Sequence, residues 1–574
     1  LMQCFIRDQT NTGWEFFDNP LAVLIATKPE EVRSVLDQVE MATQQGSQCV
    51  GYVAYEAASA LDASLAVHPS ARPLAVFGIF KSCQRMTTLP SRKASAAWLR
   101  PSTSCEQYTQ KIQTIKTLLA NGESYQVNLT HTLQGTYEGE PLDLFANLYD
   151  AQPTAYAAFI HLNDLAIASV SPELFFCLDG NQITTQPMKG TAPRASDAQE
   201  DLANKHALEH SEKDRSENIM IVDMIRNDLG KICQPGTITA ANLFAIERLP
   251  TVWQQTSSVT GTTKAGFSDI LTTLFPCASI TGAPKKRTME IINDLEDNAR
   301  GVYTGCIGVL KPDRSMRFSV AIRTLVMETD TRSASYGIGG GIVWDSAPIS
   351  EWQESLDKSR LLNGVSPALL ETMKYDPSEG VLLLDRHIDR LIAAANTHAY
   401  PLDPIQAKET VQRFSATKNM KLRLLADRSG TLNLESSSFP PIKSVFRLGL
   451  ADAPINREDF RLRTKTTQRT IYDQNRGARL DIDDVILWNE DKEITETTIF
   501  NLYLKIQGVL YTPALPSGLL PGVYREHLLA LGVAKEGVLK LENLYEAESL
   551  FVSNAVRGLC PAILVPLNQG PELD

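Results

Sequence analysis

The stretch SEWQESLDKSRLLNGVSPALLETMKYD, Ser350–Asp376, holds two kinds of structure separated by a break. EWQESLDKSRLL reads as helix opened by Ser350, with Glu351 and Glu354 three apart in its first turns and so on one face. NGVSP, residues 363–367, then brings Asn, Gly and Pro together, a combination that stops a helix and starts a loop. ALLETMKYD follows as a strand-like start. A main boundary is therefore expected at the linker 363–367, with 1–362 on one side and 368–574 on the other. Upstream, short alternating runs such as LAIASVS and RFSVAIRTLV mix with helical runs such as HSEKDRSENIMIVDMIRND and KKRTMEIINDLED, an α+β pattern. The downstream part shows a similar mixture.

At 574 residues the chain is too long for one core. Hydrophobic residues make up 43% and charged residues 21%, an ordinary globular composition. No apolar run approaches the ~18–20 residues that span a bilayer, so no membrane association is expected. A formal net charge of −12 gives no basic field for nucleic acid or anionic lipid. An anionic small substrate would need local cations or a metal. No signal-peptide pattern is visible, and the nine cysteines, odd in number and without a C-x-x-C pair, read as reduced thiols of a cytoplasmic protein.

PMKGTAPR, residues 187–194, places Lys189 in what reads as a tight turn bounded by Gly190 and Pro193, after the strand-like NQITTQ. A lone lysine is ordinarily a solvated charge, and only convergent groups would make it a nucleophile or a charge clamp. SEKDRSENIMIVDMIRNDLG offers Asp214 and Glu217, again i and i+3, matching Glu351 and Glu354. Acids near a helix start usually serve the helix dipole, yet two such helices meeting would present carboxylates suited to Mg²⁺. Gly339, Gly340 and Gly341 in YGIGGGIVWDS either bend a strand or let a substrate carboxylate reach backbone amides. In SITGAPKKRTMEII, Ser279 and Thr281 precede Gly282 and Pro284, leaving amides and hydroxyls at a helix start that would welcome an anion. Arg323, inside the β-like run FSVAIRT, needs an anionic partner if buried.

Taken in order, SPELFF, PMKGTAPR, SENIMIVDMIRNDLG, FPCASITGAPKKRTMEII, RGVYTGCIGVL, FSVAIRTL and GIGGGIVWDSAPISEWQE resemble the chorismate-utilising enzymes over most of residues 110–362. WEFFDNPLAVLIATKPEEV and CVGYVAYEAA look like the amino-terminal part of the aminodeoxychorismate synthases in that family, which divides the first half into 1–105 and 106–362. The implied fold is a two-layer β-sandwich with helices. In this family a lysine at position 189 marks the lysine type of aminodeoxychorismate synthase, where anthranilate synthases commonly carry alanine. The resemblance implies that Lys189 attacks C2 of chorismate as the 4-hydroxyl leaves, that Glu173 of SPELFF protonates the departing hydroxyl, and that ammonia adds at C4 and expels the lysine. It assigns Mg²⁺ to Glu217 and Glu354, with Asp214 and Glu351 as outer partners; Asp214 departs from a more frequent glutamate. The ring carboxylate would rest on the metal and the enolpyruvyl carboxylate on Arg323, Tyr303 and the amides of Gly339–Gly341, with Thr281 positioning the ring. Gln254 stands where many relatives have a histidine tied to pyruvate elimination, which suits an enzyme that stops at the amino product. No cysteine lies in a Gly-x-Cys-x-Gly elbow, so a separate glutamine amidotransferase subunit is the implied ammonia source.

Downstream, RLRTKTTQRTIYDQ holds Lys465 among Arg461, Arg463 and Arg469, and EITETTIFNLYLKIQGVLYTP holds Glu496 before an alternating strand. With LLETMKYD, LLLDRHIDRLIAAANTHAY, LPSGLLPGVYREHLL and LFVSNAVRGLCPAILV, these runs resemble the class IV aminotransferase fold family over nearly all of residues 368–567. The resemblance implies a two-subdomain α/β fold that binds pyridoxal 5'-phosphate. Lys465 would bond the cofactor and Glu496 would face its ring nitrogen. Arg390, last of RHIDR, and the amides of Val523, Tyr524, Asn554 and Ala555 would hold its phosphate. Branched-chain and D-amino acid aminotransferases and aminodeoxychorismate lyase share this pattern, so the reaction stays open on the residues. Fusion to the first half favours the lyase, and with it a bifunctional folate-pathway enzyme that turns chorismate into 4-aminobenzoate. A homodimer through this half is a compatible assembly. The alternatives are a true aminotransferase, anthranilate synthase activity in the first half, and a silent scaffold for the amidotransferase subunit. Lys189 weighs against the second, and the joint presence of Lys465, Glu496 and Arg390 against the third.

Overall fold

The computed structural model describes residues 2–8, 13–90, 95–195, 198–248, 252–476 and 481–565. It divides into two compact units, Leu1–Ser366 and Pro367–Asp574. The helix of the quoted stretch spans Pro348–Asp357, and a 3₁₀ turn, Arg360–Gly364, precedes the division. Ser350 does not open that helix: Ala347 stands at its cap and Pro348 takes the first position, where a missing N–H costs nothing.

Strands of the first unit show why it becomes a sandwich. In Gln3–Arg7, Cys4 and Ile6 join one buried cluster while Phe5 joins another. In Cys306–Leu310, Ile307 and Val309 face the same cluster as Cys4, and Cys306 and Leu310 face the opposite side. Side chains of a strand alternate, so apolar residues at every position bury both faces. Two antiparallel sheets, each of ten strands among the described residues, are the result. Cys4, Ile6, Ile160 and Ile167 of one meet Val50, Tyr52, Ile307 and Val309 of the other. Helices cover the outer faces: Pro29–Gln44, Glu212–Leu229 and Phe267–Leu274 on one sheet, and Pro141–Ala151 on the other. The amino-terminal strands are built into both sheets. Gln3–Arg7 pairs with Ala158–His161 and Gln48–Val53 pairs with Cys306–Leu310, so residues on either side of 105/106 form one compact unit.

Three readings of local structure are corrected. PMKGTAPR is not a turn: Met188–Pro193 is a strand at one edge of the second sheet. The run RFSVAIRTLV is not one strand but two, Met316–Val320 in the second sheet and Thr324–Glu328 in the first, and Arg323 sits at the crossing with φ +52°. The glycine run makes no bulge in its strand. Gly339, Gly340 and Gly341 lie inside Ser333–Ile342, in unbroken register with Thr130, Leu129 and Asn128.

The second unit has two subdomains. The smaller is an antiparallel sheet, Gly380–Val381, Leu369–Asp376, Met420–Ala426 and Leu432–Ser438, packed on the helices Leu384–His398 and Pro404–Gln412. The larger is an eight-stranded mixed sheet whose strand Ile494–Thr497 also pairs with Asn501–Ile506. Glu496 therefore belongs to a strand and does not merely precede one.

Candidate active sites

Lys189 owes its place to a bulge. Met188 lies opposite Thr256 and Thr191 opposite Gln254, three steps on one strand against two on the other, which leaves Lys189 and Gly190 as the irregular residues. Gly190 has φ +87°, and a Cβ there would come within 2.9 Å of the Asp214 Cβ, so glycine is required by conformation and by space. Gln254 pins the bulge: its Nε2 donates to the Gly190 carbonyl at 2.8 Å, and its Oε1 accepts from Thr191 Oγ1 at 3.0 Å.

The Lys189 charge acts on Glu173, which is buried. Burial pushes the Glu173 carboxyl up to about 7, opposed by a 2.6 Å hydrogen bond donated by Ser279 Oγ and by the Lys189 charge. A carboxyl so placed exchanges protons near neutrality.

The glycine strand runs bare through this region. A Cβ at Gly341 would lie 2.0 Å from Gln126 Nε2 and 3.3 Å from Lys189 Nζ. At Gly340, whose neighbours in sequence face the other way, it would lie 3.4 Å from Lys358 Nζ and 3.7 and 3.8 Å from carboxylate oxygens of Glu351 and Glu354. Lys358 Nζ donates to the Gly339 carbonyl at 2.6 Å and pairs with Glu354 at 3.1 Å. Glu217 accepts from Gln126 Nε2 at 3.3 Å, and buried Glu351 accepts from Ser346 Oγ at 2.6 Å. Asp214 packs on Gly190 and its amide is capped by Ser211. The four carboxylates are hard oxygen donors of the kind Mg²⁺ takes. As placed, however, Glu217, Glu351 and Glu354 hold internal partners, and among the described residues no three His, Cys, Asp or Glu side chains gather as a metal cage.

The remaining expected contacts already hold partners within the fold. The Tyr303 ring lies over Gly337, where a Cβ would meet it at 2.2 Å, and burial raises its phenol well above the usual range. Arg323 Nη1 donates to the Lys358 carbonyl at 2.7 Å, so its partner in this structure is a backbone oxygen and not an anion. The Thr281 hydroxyl turns back onto the carbonyls of Cys277 and Ala278. Lys358, Gln126 and the Ser279–Glu173 bond are the features that sequence reasoning missed. Only Lys358 had a readable signal, four residues after Glu354 on the same helix face.

In the second unit Lys465, Arg390, Glu496, Val523, Tyr524, Asn554 and Ala555 all line one cavity of about 380 Å³. The Lys465 carbonyl accepts from Leu370 N at 3.0 Å, which ties its irregular segment to the smaller sheet. Burial, then the neighbouring Arg390 charge, pulls the Lys465 ammonium down to about 7. Buried Glu496 accepts from Tyr472 Oη at 2.9 Å, Leu520 N at 3.1 Å and Asn501 Nδ2 at 3.4 Å, and burial still pushes it up to about 8. Arg390 forks onto Glu371 at 2.8 and 2.6 Å and donates to the Pro521 carbonyl at 2.9 Å. Burial opposes it, but the charges of Arg390 and His387 hold Glu371 down to about 2. Val523 begins the helix Val523–Ala530, and Asn554 Oδ1 accepts from the amides of Val556 and Arg557 to shape the turn after Ser549–Asn554. A cavity with a low-pKa lysine, a buried carboxyl, an arginine and a helix start fits pyridoxal phosphate.

All nine cysteines are free, and among the described residues no helix is long and apolar enough to cross a membrane. Residues 81–364 match the family described as chorismate binding enzyme, and residues 368–565 match amino-transferase class IV. Aminodeoxychorismate synthase component 1 of Salmonella typhimurium is 41% identical over 284 residues, covering 49% of this chain and 62% of that protein. An anthranilate synthase component 1 of Haloarcula marismortui is 37% identical over 267 residues, covering 46% of this chain and 54% of that protein. The matched stretch thus spans less than two thirds of either relative. The crystal structure of anthranilate synthase component I from Streptococcus pneumoniae superposes with a TM-score of 0.54 at 22% identity, covering 63% of this chain and 92% of that one, and shows the fold alone. The chain joins a chorismate binding enzyme domain to an amino-transferase class IV domain.

Proposed function

We propose that the chain converts chorismate to 4-aminobenzoate in two steps, one in each unit. The observation that carries the first step is the pairing of Lys189, presented by a pinned bulge, with a buried carboxyl poised at about 7. Relatives named for both aminodeoxychorismate and anthranilate synthesis match the first unit, so similarity alone does not separate those activities. Lys189 supports the former. Its ε-amine adds to C2 of chorismate while Glu173 gives its proton to the 4-hydroxyl, which leaves as water. Ammonia then adds at C4 and the lysine departs, with Glu173 taking a proton from the incoming amine. Gly340 keeps the backbone open toward Lys358, Glu351 and Glu354, while Gln126 lies against Gly341, and Lys358, Arg323 and Tyr303 offer cationic and hydrogen-bonding contacts for the substrate's carboxylates. Glu217 and Glu354 would hold Mg²⁺, with Asp214 and Glu351 behind them, once Glu354 exchanges Lys358 for the ion and Glu217 exchanges Gln126. The ion would supply positive charge for a substrate carboxylate.

The second step is pyruvate elimination. Pyridoxal phosphate, when bound, supplies an electron sink. Lys465 is the base that moves the ring proton, since at about 7 a fraction of it is neutral at working pH. Glu496, held by Tyr472, Leu520 and Asn501, would pair with the ring nitrogen of the bound cofactor and stabilise its protonated form. Ammonia would come from a separate glutamine amidotransferase subunit, in a cytoplasmic setting, and the second unit would pair with its copy in a homodimer. Incubation with chorismate, ammonium, Mg²⁺ and pyridoxal phosphate, followed by chromatography, tests the reading. 4-Aminobenzoate is expected. Accumulated aminodeoxychorismate would remove the lyase, amino transfer to an added 2-oxo acid would make the second unit an aminotransferase, and 2-aminobenzoate would overturn the first step.

A further inference from the structure

The turn at residues 301–304, which carries Tyr303, is held from the amino-terminal part of the chain. Glu56 sits in the 3₁₀ turn Tyr55–Ala57, after the strand Gln48–Val53, and is buried. One of its carboxylate oxygens accepts from Arg300 N at 2.7 Å and the other from Gly301 N at 3.0 Å. Tyr55 N donates to the Gly301 carbonyl at 2.9 Å. Gly301 has φ +64° and no side chain of its own to steady the turn, so these bonds do that work. The Arg300 side chain ties the same point to the rest of the site. Buried with Glu296, it forks onto that carboxylate at 2.8 and 2.7 Å and lies over the Tyr55 ring at 4.6 Å. It also donates to the carbonyls of Ile280 and Asn128 at 2.8 Å each. Ile280 immediately precedes Thr281, and Asn128 lies opposite Gly341. Glu296 takes the guanidinium, and Glu56 meets backbone amides. Two amides need only neutral acceptors, and burying a carboxylate for them is costly; what the charge adds is a strong grip on both at once.

We propose that Glu56 is a positioning residue of the first unit's site: by gripping the amides of Arg300 and Gly301 it sets where Tyr303 stands, and through Tyr303 it sets the affinity for chorismate. The inference rests on the reading of Tyr303 as a contact for a substrate carboxylate. Tyr303 is two residues beyond Gly301, and its ring lies over bare backbone at Gly337, so its place along the glycine strand is set by the turn that carries it. A contact made alike to bound substrate and to the transition state changes KM and leaves kcat. Misplacing Tyr303 therefore shows in KM for chorismate.

The test is steady-state kinetics of the full chain with chorismate, ammonium and Mg²⁺, followed as chorismate consumption so that it reads Glu56 whichever aminated product forms. The parent is compared with Glu56→Gln, Tyr303→Phe and the double variant. Tyr303→Phe is expected to raise KM for chorismate about tenfold, and Glu56→Gln about fivefold with its kcat within about twofold and its KM for ammonia unchanged. Because the glutamate acts through the tyrosine, the double variant should match Tyr303→Phe at about tenfold; independent effects would multiply to about fiftyfold and overturn the proposal. An unchanged KM in Glu56→Gln beside a raised one in Tyr303→Phe would overturn the proposal and leave Tyr303 as a substrate contact. An unchanged KM in Tyr303→Phe would sink the reading of Tyr303, and the proposal with it. A fall in thermal midpoint with the parent's KM would assign Glu56 to the fold alone, and so would failure of both Glu56→Gln and Glu56→Asp to fold; either result overturns the proposal. A parent that consumes no chorismate would sink the proposed function, and chorismate affinity of the same four proteins, read by calorimetry, would then decide on Glu56 by the same ratios.

Discussion

The two lysines at the centres of the two units are held in opposite ways. Lys465 projects into a cavity of about 380 Å³, and its ammonium and the Glu496 carboxyl are both displaced toward neutrality by burial. Lys189 stands on a bulged edge strand among groups that already hold one another: Gln254 on Gly190, Gln126 on Glu217, Lys358 on Glu354. On the proposed reading, the difference lies in how each unit would meet its ligand. A fold that reserves space for a large organic ligand keeps an open cavity with ionisable groups displaced toward neutrality by burial, at a cost in stability. A fold that takes an ion and a substrate together can keep its charges satisfied internally and exchange partners when they arrive.

The largest effects come from removing either lysine, and they test whether the units act separately. Lys189→Ala is expected to lower aminodeoxychorismate formation by roughly a factor of 10³ or more, the scale of losing a positioned reacting group, with pyridoxal phosphate retention unchanged. Lys465→Ala is expected to do the reverse, retaining the synthase step and accumulating aminodeoxychorismate in place of 4-aminobenzoate. Borohydride reduction followed by peptide mapping should find the pyridoxyl group on Lys465 in the parent. Loss of both steps from either single substitution would break the comparison. Glu354→Gln comes next. If the first site works by exchange, removing this carboxylate raises the Mg²⁺ concentration for half-maximal synthase rate about tenfold or more, as read by metal titration at saturating chorismate. An unchanged midpoint would place the ion on other residues.

How far the sequence carried this picture depended on whether a signal was local. Asn363, Gly364 and Pro367 act on the backbone in place, and the two units divide at Ser366/Pro367. The acidic helices were legible from pairs spaced three apart, whereas the sandwich was expected only from the family resemblance, since its strands were read as alternating and several of them bury both faces. The Lys189 strand was misread because Gly190 and Pro193 are turn residues by propensity. Here the glycine serves a bulge whose existence depends on a partner strand more than sixty residues away, Val252–Thr262. Arg323 was misread for a related reason: its strand-like neighbours belong to two different sheets, and only tertiary structure decides where one ends. Bonds between segments far apart in sequence, such as Ser279 to Glu173, leave no periodic trace at all.

Gln254 sharpens the comparison at a smaller scale. Gln254→Ala frees the Gly190 carbonyl and the Thr191 hydroxyl without touching Lys189 itself. The expected result is a fall in synthase kcat of about tenfold with little change in KM, since orientation is lost but contacts to bound substrate are not. Gln254→Asn, with a shorter reach, should recover less than half of that loss, and an unaltered rate in Gln254→Ala would show that the bulge holds its shape unaided.

The smallest expected effect concerns a proton. The Glu173 carboxyl lies near 7 in the folded protein, against an ordinary value of 4.5, chiefly because it is buried. Its contribution to stability is therefore whole below about 4.5 and is lost as pH rises through about 7. As the acid proposed to protonate the departing hydroxyl, it would also set an alkaline limb on the synthase rate near the same pH. Ser279 Oγ donates to the ionised form, so removing that donor disfavours the carboxylate and lifts the carboxyl further. Ser279→Ala should move the alkaline limb of kcat/KM upward by about half a unit to one unit, measured at constant free ammonia so that the nucleophile's own titration does not enter. Ser279→Thr, which keeps the hydroxyl, should leave the limb within about 0.2 units of the parent. A downward shift in Ser279→Ala would mean that the serine stabilises the neutral acid, and no shift in either variant would remove Glu173 from the proton transfer altogether.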